Sequence, residues 1–165
     1  MLDTLTLAAH NTMRWVVLIL AIYALYRVYA GLFGKKEWSD ADRKALSFYA
    51  IGMDVQLLLG LLLYFVLESR VVQQTWFSAL TSNIGSIMGN SGLRFFAVEH
   101  FSVMLLAVIL AHVATIMAKR GATSAKKFRN GAIYLTLSVL AVLAAIPWAS
   151  RPLLPVFASL MSFFG

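Results

Sequence analysis

The stretch LRFFAVEHFSVMLLAVILAHVATIMA, residues 93–118, decides the fold. A segment needs about 20 mostly apolar residues to cross the hydrocarbon core of a bilayer, and this run is long enough to do so. Its ionisable members are Arg94, Glu99, His100 and His112. Working outward, three more runs qualify as spans: 9–33, 46–67 and 132–150. Composition agrees, since 61% hydrophobic and 13% charged residues with a mean hydropathy of +0.80 lie well beyond the usage of a soluble domain. The first run is not expected to be a cleaved leader: it has no basic segment before it, no small-residue cleavage site, and it holds Arg14 and Arg27.

Loops between spans one and two and between three and four are short, so consecutive helices should be antiparallel neighbours. The expected fold is all-α, a single transmembrane domain over residues 1–165 built as an up-down-up-down four-helix bundle. The connection 68–92 is longer. Within it, residues 71–80 carry Val71, Val72, Trp76, Phe77 and Leu80 among polar neighbours, which predicts a short interfacial helix. Residues 83–92 contain three glycines and read as a flexible turn. Beyond the last span, Pro147, Pro152 and Pro155 break the helix, and 156–164 is expected along the membrane surface.

Lysine and arginine concentrate after span one (Lys35, Lys36, Arg43, Lys44) and after span three (Lys119, Arg120, Lys126, Lys127, Arg129). Basic loops stay in the cytoplasm, so both termini are expected on the extracytoplasmic side of a cell inner membrane. The net charge of +7 then belongs to loops meeting anionic lipid, and nucleic acid is not an expected partner. The absence of cysteine excludes disulfides, iron–sulfur clusters, thiolate metal sites and covalent haem attachment. No Ser-His-Asp set, phosphate loop or broken central helix supports hydrolysis, nucleotide binding or alternating-access transport.

Ionisable residues inside spans are costly and are functional candidates by default. With the termini outside, His10 and Arg14 share an outer level with Glu99 and His100. His112 lies about 18 Å further in, at the rise of 1.5 Å per residue, near the level expected for Asp54. His10 and His100 could supply two axial donors to a b-type haem, with Arg14, Arg94 and Arg151 near its propionates and Glu99 orienting an imidazole. The same groups serve equally as hydrogen-bonded glue between helices. A non-haem metal held by His10, Glu99 and His100 is a third reading, although adjacent residues on a helix point about 100° apart. At the inner level an imidazole beside a carboxylate suits a proton relay, a quinone contact or a salt-bridge cluster to which Gln56, Arg27, Tyr23 and Tyr26 contribute. Along span three, His100, Met104, Val108 and His112 form an i, i+4 row that slants by about 120° and is expected to face one groove.

The pattern His10-x3-Arg14-Trp15, then Asp54-x-Gln56 followed by Leu57, Leu58, Leu59 and Gly60, then Arg94-x4-Glu99-His100-x11-His112, and Ile146-Pro147-Trp148 resembles short bacterial four-span proteins labelled cytochrome B. The resemblance covers most of the chain. It implies a membrane-bound b-type haem protein or respiratory accessory subunit, with His10, His100 and His112 as ligand candidates. The chain departs from diheme four-helix cytochromes in having three histidines. The expected role is electron transfer between a quinol pool and a partner, as an oxidoreductase component within a larger membrane complex or a homo-oligomer. The rival expectation is a cofactor-free accessory subunit.

Overall fold

A computed structural model describes residues 1–148. Arg151, the end of the expected fourth span and the surface segment expected at 156–164 lie outside the described residues. The chain forms α1 (Leu2–Phe33), α2 (Asp40–Leu61), α3 (Trp76–Ser82), α4 (Ile84–Gly89), α5 (Ser91–Arg94), α6 (His100–Lys119) and α7 (Ser124–Ala145). A π-helical turn, Leu62–Val66, extends α2, and a second one, Phe95–Glu99, joins α5 to α6. Four continuous helical segments are long and apolar enough to cross a membrane: Leu2–Phe33, Asp40–Val66, Ser91–Lys119 and Ser124–Ala145. The chain is a multi-pass membrane protein whose spans form an up-down-up-down bundle, with α1 closing against α7.

Helices α2 and α7 begin earlier than the apolar runs because their polar ends are capped. Ser39 and Asp42 form a capping box at the start of α2, the Asp42 carboxylate accepting from the Ser39 backbone N–H at 2.9 Å and from its hydroxyl at 2.6 Å. Arg27 donates twice to the other oxygen of Asp42, at 2.9 and 2.7 Å, which ties α1 to α2 at this end. Thr123 caps α7 by accepting from the Lys126 N–H. Arg27 therefore serves the first loop and does not join the polar level at Asp54 and His112, while Tyr23 and Tyr26 point outward.

Small residues set the helix spacing. Ala107, Ala111, Ala114 and Ala118 repeat along one face of α6, all at most 1% exposed, against Phe128, Leu135 and Val142 of α7 and Tyr49 and Met53 of α2. On α1, Gly31 is required by a close approach: a Cβ there would sit 2.1 Å from the Phe128 ring. The long connection differs from expectation. Residues 70–73 form a turn closed by a Ser69–Gln74 bridge, with Gln73 at φ 54°. The expected interfacial helix appears as α3, and the supposed flexible turn is largely helical in α4 and α5. Asn90 supplies the cap by accepting from the Leu93 N–H, and Ile87 buries with Ala79 and Ala97 to form a small second core over one end of the bundle.

Within the main core, Tyr49 donates to Ser138, and Ser138 donates to the Ala107 carbonyl, at 2.9 and 2.7 Å. This relay links α2, α7 and α6 where no water is available to replace it. Ser138→Ala should strand the Tyr49 hydroxyl and destabilise the bundle by about 1–3 kcal/mol. The double variant Tyr49→Phe/Ser138→Ala should recover much of that loss, as read by thermal unfolding followed by circular dichroism in detergent. Equal or greater destabilisation of the double variant would show that the relay is not what holds these helices.

Candidate functional site

His10 sits on α1 and His100 at the first residue of α6, on opposite corners of the bundle, and the two rings meet across its centre with centroids 6.3 Å apart and planes at 71°. Each imidazole is held by the next helix round. His100 Nδ1 donates to the Ala145 carbonyl of α7 at 2.8 Å, which leaves Nε2 as the acceptor atom on the other side of the ring. The Gln56 carboxamide nitrogen of α2 lies 3.1 Å from His10 Nε2 and 3.2 Å from its Nδ1, and donates to the His10 backbone carbonyl at 3.2 Å. Gln56 is only 5% exposed, and its Oε1 has no hydrogen-bond partner among the described residues. Gly60, one turn further along α2, makes room for His10, since a Cβ there would stand 3.4 Å from Cε1 of the ring.

Both histidines line a cavity of about 620 Å³. It runs from Asp3, Thr4 and Arg70, at the end of the bundle holding the N-terminus, down to Val17 and Met104. That volume falls within the range of about 300–1,000 Å³ common for pockets that enclose organic ligands. Its walls are mostly apolar, with Arg14 one turn below His10.

The two π turns shape this end of the bundle, and they face each other. Tyr64, within the first, donates its hydroxyl to the Ala97 carbonyl within the second at 2.6 Å, and its ring stacks on Phe101 at 4.5 Å. Widened turns of this kind occur often at functional sites. In an α-helix residues five apart lie about 140° apart, whereas a π turn brings them into line. That alignment lets Arg94 donate to Glu99 at 2.7 Å on the outside of the helix. Two expectations are corrected by it. Glu99 does not orient His100, which takes its orientation from a backbone carbonyl instead. Arg94, committed to Glu99 and to the Met88 carbonyl, does not line the cavity. Arg70 lines it instead, held by Asp3 at 2.9 Å and Thr4 at 2.6 Å. Nothing in the sequence marks Arg70 for this position, which depends on the fold of the 68–74 turn.

No group of three or more His, Cys, Asp or Glu side chains comes together among the described residues. The three-ligand metal reading through His10, Glu99 and His100 is therefore not assembled, and the two imidazoles remain as a donor pair. The inner level does come together, with His112 Nε2 2.8 Å from Asp54 Oδ1. Gln56 does not join it, because two residues along a helix turn about 200°, and Gln56 faces the cavity while Asp54 faces out. The i, i+4 row does not face one groove either. Met104 lines the cavity, Val108 is buried, and His112 ends 47% exposed on the outer face, as a drift of about 40° per step requires.

Comparison of the chain with family models, with curated proteins and with solved structures finds no match in any of the three.

Tyr64→Phe removes the one hydrogen bond that joins the two π turns while keeping the stacked ring. Amide hydrogen exchange at residues 95–101 should speed up severalfold, with residues 130–145 unchanged. Unchanged exchange at 95–101 would mean the second π turn holds without Tyr64.

Proposed function

We propose that this chain is an inner-membrane b-type haem protein that passes electrons between lipid-soluble quinol and a partner, and that His10 and His100 are the residues that would hold the haem. The observation that carries the reading is the ring separation. With metal–nitrogen bonds of about 2.0 Å and ring nitrogens about 1.1 Å from the ring centre, two imidazoles gripping one metal from opposite sides have centroids a little over 6 Å apart. The observed 6.3 Å agrees. The donor set also suits a haem, which takes two neutral imidazoles, rather than a zinc site that wants three or four ligands.

When bound, haem supplies reversible one-electron exchange at its iron. The protein's own residues do the rest. The Ala145 carbonyl fixes the His100 tautomer and ring orientation, leaving Nε2 as the atom that would hold a metal. Gln56 holds the edge of the His10 ring and offers Oε1 as an acceptor. Gly60 and the apolar walls leave space for a flat ligand, and Arg14, one turn from His10 in the lining, suits a carboxylate of it. Basic clusters at the opposite end of the bundle, beside Lys35 and Lys119, favour a topology with both termini extracytoplasmic.

Purified protein from haem-replete cells should show a sharp α band in its reduced-minus-oxidised spectrum. His10→Ala and His100→Ala should each abolish it, and Gln56→Leu should weaken haem retention by about 10-fold or more. A colourless, fully helical preparation would favour the cofactor-free accessory subunit, and an unchanged spectrum in both histidine variants would exclude this ligand pair.

A further inference from the structure

The Asp54–His112 pair is placed where a membrane protein seldom leaves ionisable groups. Asp54 lies near the middle of the helical segment Asp40–Val66, so its depth is close to the centre of the span. Yet the two side chains are 43% and 47% exposed on the outward face of α2 and α6. Around them stand Ile51, Leu58, Ile109 and Ile116, all large, aliphatic and exposed. In hydrocarbon, half-exposed ionisable groups at this depth are costly unless something polar covers them.

The bonding left over says what would cover it. His112 uses Nε2 on Asp54 Oδ1, and no described residue bonds His112 Nδ1 or Asp54 Oδ2. An imidazolium donates through both nitrogens and a carboxylate accepts through both oxygens, so the pair presents one spare donor beside one spare acceptor. Such a surface is complementary to itself. Two copies inserted in the same direction and related by a two-fold axis along the bilayer normal carry these groups at the same depth automatically. A two-fold interface is isologous, so each spare donor meets the acceptor of the other copy.

We infer that the outward face of α2 and α6 is the interface of a homodimer, centred on a closed ring of two Asp54 carboxylates and two His112 imidazoles. Each His112 uses Nε2 on its own Asp54 and turns Nδ1 to Asp54 of the second copy, so the spare groups of both copies are paired. Interhelical hydrogen bonds of this kind contribute to association between transmembrane helices. The aliphatic ring of Ile51, Leu58, Ile109 and Ile116 closes around the centre and keeps it out of contact with lipid. This inference is independent of haem, because the pair lies on the opposite side of α2 from the cavity.

The chain has no cysteine, so a single introduced one reports on one surface. Ile109→Cys places a thiol one turn from His112, and Ile22→Cys places one on α1, away from this face, where Ile22 is 69% exposed. The full chain in phosphatidylcholine–phosphatidylglycerol vesicles at low protein-to-lipid ratio is treated with a short bis-maleimide. Ile109→Cys should give severalfold more crosslinked dimer than Ile22→Cys, and adding Asp54→Leu and His112→Leu to Ile109→Cys should remove the excess. Equal crosslinking at the two positions would overturn the proposal and leave lipid or a different protein as the cover. A crosslink undiminished by the leucine pair would overturn it as well, since the ring would then not be the contact.

Discussion

The hydrocarbon core offers no water to a polar group, and every part of this bundle reflects that constraint. Polar side chains pair with one another or with backbone carbonyls of a neighbouring helix, and each pairing fixes the relative height of the helices it joins. Arg27 and Asp42 set α1 against α2 at one end. The Tyr49, Ser138 and Ala107 relay sets three helices at mid-depth. Gln56 on His10 and the Ala145 carbonyl under His100 set the cavity level, and Tyr64 on Ala97 closes the far end. The alanine face of α6 lets the backbones come near enough for these short side chains to reach.

The two polar levels then meet different fates, decided by azimuth on the same helix. Gln56 and Asp54 are two residues apart on α2, so one faces the cavity and the other faces out. The inward level lies along a cavity between the four helices, with both imidazoles in its lining. The outward level is satisfied only in part within one chain. The cavity and the outward pair thus share α2 without sharing side chains.

Much of this was legible in the sequence. Hydropathy located the four spans, the short loops implied their antiparallel order, and counting residues from the span ends put His10 level with His100 and Asp54 near His112. What stayed hidden has physical reasons. No residue type demands a π turn, so Phe95–Glu99 leaves no mark on the sequence, and with it went the outward turn of Glu99 and the Arg94 pairing. The caps at Ser39 and Thr123 let helices run into polar sequence that hydropathy excludes. Glycines in 83–92 suggested a loose turn, but an Asn90 cap and the burial of Ile87 outweigh their flexibility. Orientation around the helix is not written in the spacing, because the position of His112 depends on which side of the row the neighbouring helix occupies.

The geometry of the histidine pair also carries a spectroscopic consequence. Were His10 and His100 to hold one haem as proposed, imidazole planes as steeply inclined as theirs, 71° apart, would give a ferric low-spin electron paramagnetic resonance signal of large anisotropy, unlike that of parallel rings. Low-temperature spectra of the oxidised, haem-loaded protein should show that signal. A high-spin signal, or no ferric signal bound to the protein, would contradict a site in which His10 and His100 hold one iron between them.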